Sequence, residues 1–124
     1  FEIDNFSYAL LFSIIDKEGM AVSSTQTING WFGSGIVAEN TGVLLNNEMD
    51  DFALSIGGAN LFDAYGGKKN LIEPFKTPLS SMSPTIVMKD QNPLMVVGSP
   101  SGTRIITCVA LTLLNYLYYI SDYF

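Results

Sequence analysis

The feature that most constrains the fold is a pattern occurring twice. A strand-length apolar or β-branched run is followed by a polar turn and then by a second such run. Residues 8–15, Tyr-Ala-Leu-Leu-Phe-Ser-Ile-Ile, lead into Asp16-Lys17-Glu18-Gly19 and then residues 20–27, Met-Ala-Val-Ser-Ser-Thr-Gln-Thr, which have β-branched character. Residues 85–88, Thr-Ile-Val-Met, lead into Lys89-Asp90-Gln91-Asn92 and then residues 94–97, Leu-Met-Val-Val. Runs of this length across short polar connections predict two β-hairpins. After the second hairpin, Gly98-Ser99-Pro100-Ser101-Gly102 forms a tight loop, and residues from Arg104 to about Tyr119 predict a buried helix. The stretch 105–120 carries no charge, but it includes Thr107, Thr112 and Asn115. A spanning helix needs about 20 apolar residues, so a core helix is expected rather than a membrane span.

Between these elements the chain is loop-like. Gly30, Gly33, Gly35 and Gly42 crowd one segment, where the backbone is expected to approach something closely. Residues 53–78, with Gly57-Gly58 and Gly66-Gly67, show no periodicity and predict a long loop, a kind of segment that is usually functional or disordered. Strands with a helix give an α+β class. The length, 124 residues, suits one domain or part of a larger one. A start at Phe1 and an end in a run of large apolar residues suggest a fragment, or a surface that a partner covers.

Composition removes several chemistries. There is no histidine, so no Ser-His-Asp or Cys-His machinery can be assembled from this chain. One cysteine, Cys108, makes neither an internal disulfide nor a zinc site. Six Lys and Arg against twelve Asp and Glu argue against nucleic-acid binding, which needs clustered cations. No metal or cofactor is expected. Asn5-Phe6-Ser7 fits the glycosylation triplet, a pattern common by chance.

Polar residues of unusual density flank the predicted strands. Thr27-Ile28-Asn29 and Asn46-Asn47-Glu48-Met49-Asp50-Asp51 bring carboxylates and amides, which hold an ammonium group well. Ser80-Ser81-Met82-Ser83 and the loop at 98–102 bring hydroxyls and backbone N–H groups, which suit a carboxylate or an oxyanion. Together they describe a pocket for a zwitterion such as an amino acid. Each cluster alone also fits a solvated turn.

These stretches carry a specific resemblance. Asn46 to Phe52 and Pro78 to Val87 resemble the two signature stretches of the small subunit of gamma-glutamyltransferase (gamma-glutamyl transpeptidase). Thr27-Ile28-Asn29 and Gly98 to Thr107 match two more, in order and at the right spacing. The similarity runs from about Phe12 to about Thr107. It implies part of a four-layer αββα sandwich, the N-terminal nucleophile hydrolase fold, incomplete here at the C-terminus. The whole chain, 1–124, is then a single partial domain.

The resemblance also implies an activity. In the family a precursor cleaves itself into a large and a small subunit. The new N-terminal Thr attacks a gamma-glutamyl amide such as glutathione, with its own α-amine as base, which dispenses with a catalytic His. Water or an acceptor amino acid or peptide then resolves the acyl-enzyme. Asn29, Glu48 and Asp51 match residues that bind the α-amino group of the glutamyl moiety. Glu48 stands where some members have Gln and others Glu. Ser80 and Ser81 match residues that bind the α-carboxylate. Thr27 matches a Thr that supports the nucleophile. Ser101 and Gly102 match two glycines whose N–H groups form the oxyanion hole. The implied partners are the large subunit and a gamma-glutamyl small molecule. The implied location is periplasmic, secreted or cell-surface.

Residues 1–11 depart from the family pattern. Anchoring on Ser13 to Gly19 sets Ala9 at the nucleophile position, with Leu10 and Leu11 after it, one of them where His is usual. Ala9 has no hydroxyl, and eight residues precede it, so the free amine is also expected to be missing. The competing expectation is an inactive relative, or a decayed or truncated fragment, that keeps the glutamyl pocket.

Overall fold

The computed structural model describes residues 9–120. Tyr8, the Asn5-Phe6-Ser7 triplet, most of the N-terminal departure and the last apolar residues, 121–124, lie outside the described residues. The chain forms two compact units, each assembled from separated stretches.

One unit comprises Leu10–Gln26, Met82–Pro100 and the chain from Arg104 onward. It holds nearly all of both predicted hairpins. In the first, β1 (Ala9–Ile15) pairs with β2 (Ala21–Thr27). The Asp16 carboxylate accepts the backbone N–H groups of Glu18 and Met20 at 3.0 and 2.8 Å, and Asp16 N–H donates to Met20 C=O at 3.0 Å. Gly19 sits at φ +87°, a left-handed geometry that glycine adopts without a Cβ penalty. So short a connection can only join antiparallel strands.

In the second hairpin, β3 (Thr85–Lys89) runs antiparallel to β4 (Asn92–Val97), with Thr85 opposite Val97 and Lys89 opposite Asn92. The connection is narrower than the predicted four-residue turn. Asp90 and Gln91 alone make it, at φ +49° and +66°. Two positive φ values define the type I′ turn, whose twist matches that of the flanking strands. Pro93 lacks an N–H, and the ladder slips beside it between Val87 and Met88, leaving Leu94 as the extra residue of a bulge. The Ser23 hydroxyl donates to Val97 C=O at 3.3 Å, which sets β2 beside β4. A Cβ at Gly98 would meet Leu11 at 3.6 Å, a close approach at the end of β4.

The helix α1 (Arg104–Asn115) follows and widens into a π-helical turn over Tyr116–Ile120. The sequence predicts a buried helix, but within this chain only one stripe of it is buried. Only Ile105 (2% exposed) and Val109 (5%), one turn apart, are enclosed. Ile106, Leu111 and Leu114 stand outward on its other faces. Helical spacing sets which residues share a stripe, but an apolar composition all round does not say how many stripes are covered within one chain. Among the described residues no helix is long and apolar enough to cross a membrane.

The other unit comprises Ala9, Thr27–Ser81 and Ser101–Thr103. It contains little regular structure, yet its loops are hydrogen-bonded. Gly33, at φ +51°, packs so closely that a Cβ would fall on the Leu45 carbonyl oxygen. Ala38 N–H bonds to Val43 C=O and Leu45 N–H to Ile36 C=O, both at 2.8 Å, closing a small ladder around the Val37–Leu44 bridge. The predicted aperiodic loop at 53–78 is also built. Ala53 bridges Leu71, Ala59 bridges Tyr65, and Lys68–Asn70 turns as a short 3-10 helix. Phe52 and Ala53 are buried at its start.

Gln91 is a strained residue where glycine is favoured. Gln91→Gly is expected to stabilise the chain by about 1 kcal/mol, the size of the left-handed penalty it relieves. Urea denaturation checks this; an unchanged or lower midpoint would contradict it.

Candidate functional site

All the residues to which the resemblance gives a place in the site fall within the second unit. Ala9, Thr27, Asn29, Glu48, Asp51, Ser80, Ser81, Ser101 and Gly102 belong to it, although the chain leaves and re-enters the unit twice between the first and the last. Ala9 opens β1 and Thr27 closes β2, so the antiparallel hairpin brings both to the same end.

Beyond Thr27 the chain turns sharply. Asn29 adopts φ +73°, its N–H donates to the Thr27 hydroxyl oxygen at 2.8 Å, and its side chain is buried, 3% exposed. Asn tolerates this geometry better than most residues because its short polar side chain bonds locally. Here Asn29 Nδ2 donates to the Asn47 carbonyl at 3.2 Å. Asn47 returns two further bonds: its Oδ1 accepts Gly30 N–H at 2.8 Å, and its own N–H donates to Ile28 C=O at 3.2 Å. Residues 28–30 are thus stitched to the start of the acidic turn.

That turn is a 3-10 helix over Glu48–Asp51. Asn46 Oδ1 accepts Glu48 N–H at 3.0 Å, and Asn47 C=O accepts Asp50 N–H at 3.0 Å. Neighbouring loops hold its carboxylates. Asp50 Oδ2 accepts Leu61 N–H at 2.9 Å, and Asp51 Oδ1 accepts Asn60 Nδ2 at 3.3 Å. Asn60 is itself held, its Oδ1 receiving the N–H groups of Phe62 and Ala64 at 2.9 and 3.0 Å.

Glu48 and Asp51 are half-buried neighbours. Burial, then the charge of Asp51 and a hydrogen bond to it, push the Glu48 carboxyl up to about 7. Burial also raises Asp51, partly offset by the hydrogen bond it accepts from Glu48, with the charge of Asp50 adding to the rise. Two carboxyls this close hold one proton between them near neutrality. Such a pair attracts a cation, and an ammonium group that displaced the proton would take over its role.

The hydroxyl side lies on the segment before β3. Ser80 is exposed and Ser81 half-buried. Ser81 Oγ donates to Gly102 C=O at 2.7 Å, joining the serine pair to the loop that precedes α1. In that loop Ser101 takes φ +107° and Gly102 φ +54°. A Cβ at Gly102 would press on the Phe62 side chain at 3.1 Å, so glycine is required there on two counts. Ser101 holds this positive φ at the cost of a strained backbone.

Three residues to which sequence reasoning gave no role shape this site: Asn47, Asn60 and Asn70. Asn47 stood in a noticed cluster, and its place directly before the acidic turn was a usable signal. Asn60 and Asn70 lay in the stretch read as an aperiodic loop. Among the described residues no cluster of carboxylates and cysteine could hold a metal ion.

Comparison with known proteins agrees with the fold. A crystal structure of a gamma-glutamyltranspeptidase mutant from Helicobacter pylori superposes with a TM-score of 0.84 at 50% identity, covering 88% of this chain and 59% of that one. The α+β arrangement here is therefore part of an N-terminal nucleophile hydrolase fold. The Gamma-glutamyltranspeptidase family model matches residues 6–123, reaching past the signature stretches at both ends, and the chain belongs to that family. The glutathione hydrolase proenzyme of Pseudomonas sp. (strain A14) is 55% identical over 108 residues, 87% of this chain. That of Escherichia coli (strain K12) is 51% identical over the same length. This chain spans 19% of the length of each of those two relatives.

Two outcomes are expected. A carboxyl whose folded pKa is raised binds more protons folded than unfolded, so stability falls as pH rises between the two values. For Glu48 the fall runs from about pH 4.5 to about pH 7. Denaturation midpoints across that range show it, and Glu48→Gln makes the slope shallower; an identical slope would refute the assignment. Ser101→Gly is expected to raise stability by about 1 kcal/mol, at the lower end of what a strained φ costs. A denaturation midpoint that does not rise would show that Ser101 carries no such strain.

Proposed function

We propose that the chain is the small-subunit portion of a gamma-glutamyltransferase and that it binds the gamma-glutamyl group of amides such as glutathione. The observation that carries this reading is the buried Asn29 amide tied through Asn47 to the Glu48–Asp51 carboxyl pair. With Asn29 Nδ2 committed to Asn47, Oδ1 is the end that can accept from an ammonium group. Deprotonated Glu48 and Asp51 supply charge to the same group. The hydroxyls of Ser80 and Ser81 donate to the α-carboxylate; to do so, Ser81 gives up its bond to Gly102.

In the family's reaction a Thr hydroxyl adds to the amide carbonyl. The N–H groups of Ser101 and Gly102 stabilise the resulting oxyanion. The amine leaves with a proton, and water or an acceptor amine resolves the ester. Thr27 supports the nucleophile in this reading, and a large subunit completes the enclosure.

Ala9 favours a second reading. A methyl group cannot attack a carbonyl, so this chain as it stands is an inactive relative that retains the pocket. The two readings separate in one assay series. The unsubstituted chain is expected to release no p-nitroaniline from gamma-glutamyl-p-nitroanilide. Turnover above background, abolished by Asp51→Ala, would overturn that expectation. Ala9→Thr, trimmed so that position 9 is the N-terminus and combined with a large subunit of the family, restores turnover if the first reading holds. Continued inactivity with intact glutamate binding supports the second.

A further inference from the structure

The proposed ligand imposes a geometric demand. Its α-ammonium and α-carboxylate hang from a single carbon, so the groups that hold them must be fixed relative to each other. The carboxyl pair lies at 48–51 and the serine pair at 80–81, with a long irregular segment between them. Neither a shared strand nor a shared helix sets their separation.

One side chain spans the two. Asn70 Nδ2 donates to the Asp51 backbone carbonyl at 2.8 Å. Asn70 Oδ1 accepts Leu79 N–H, next to Ser80, at 3.0 Å. The main chain of Asn70 joins the same structure, since its carbonyl accepts Ala53 N–H at 2.9 Å. Asn70 is half-buried at the end of the Lys68–Asn70 turn. A planar amide with both ends engaged is a stiff connector of set length. Both of these side-chain bonds go to main-chain atoms of the two binding segments.

We propose that Asn70 is a positioning residue that sets the spacing between the ammonium-binding carboxyls and the carboxylate-binding hydroxyls. The inference rests on the pocket reading given above. It goes further in naming what makes the pocket select a ligand with both charged groups on one carbon. Loss of the connector leaves each half able to bind its own group and removes their registration. Small misplacements of this kind cost binding steeply, because both contacts must form at once.

The test compares ligands with two ends and with one. L-Glutamate carries both groups. Its decarboxylated analogue, 4-aminobutyrate, keeps the amine and lacks the α-carboxylate. Ligand-observed NMR titration, which reads millimolar affinities, is run on the chain assembled with a large subunit of the family. Asn70→Ala is expected to weaken L-glutamate at least tenfold while 4-aminobutyrate binding changes less than twofold. A general loss of structure would weaken both alike, and that outcome overturns the proposal. Unchanged L-glutamate binding by Asn70→Ala overturns it as well and leaves the pocket reading standing. If the unsubstituted assembly binds no L-glutamate, the pocket reading fails and the connector with it. Should Asn70→Ala not fold, Asn70→Asp keeps the volume and the acceptor for Leu79, deletes the donor to Asp51, and carries the same expectation.

Discussion

A backbone that makes little helix or sheet must satisfy its N–H and C=O groups by other means. In the unit that holds the candidate site, side-chain amides do this. Asn29, Asn47, Asn60 and Asn70 each bond to the main chain of a segment remote in sequence, or to a carboxylate on one. Each amide offers donors at one end and an acceptor at the other, so each can join two strands of irregular chain that have no ladder between them. The acidic turn sits at the centre of this arrangement. It is held from one side by Asn47 and from the other by Asn60 and Asn70. Removing such a bond is costly where the partner is left buried and unsatisfied.

That scaffold explains how two carboxyls come to stand together, half-buried, in an acidic chain. Charge repulsion alone would separate Glu48 and Asp51. The turn geometry, anchored on either side, does not let them part, and a shared proton relieves the conflict. Burial and the neighbouring charges thus favour the protonated form of the pair. This is a local property of three neighbouring acids and not a reflection of the net charge of −6.

The sequence made the regular elements legible because their signals are local. Both hairpins follow from strand-length runs and polar turns, and the helix follows from the uncharged apolar run after Arg104. The narrowness of the second turn was not legible, since Asp90-Gln91 lacks the glycine that usually marks it. The exposure of most of α1 was hidden for a different reason: composition reports how apolar a face is, not whether anything within the chain covers it. Glu48, Asp51 and the serine pair were singled out by density of chemistry and by resemblance. Asn60 and Asn70 were not. Each is an ordinary loop residue until the chain has folded, and its role is defined by partners nine to nineteen positions away.

The turn at Asn29-Gly30 also bears on chemical ageing. An asparagine followed by glycine is the dipeptide most open to succinimide closure, in which the glycine backbone nitrogen attacks the side-chain amide carbon. Here that nitrogen donates its proton to Asn47 at 2.8 Å, and the Asn29 amide is drawn toward the Asn47 carbonyl. Nucleophile and target are both engaged elsewhere, so the folded turn shields its own most labile bond. Unfolding removes that shield. A molecule that opened for long would return with a carboxylate at position 29, adding a further acid to Glu48, Asp50 and Asp51.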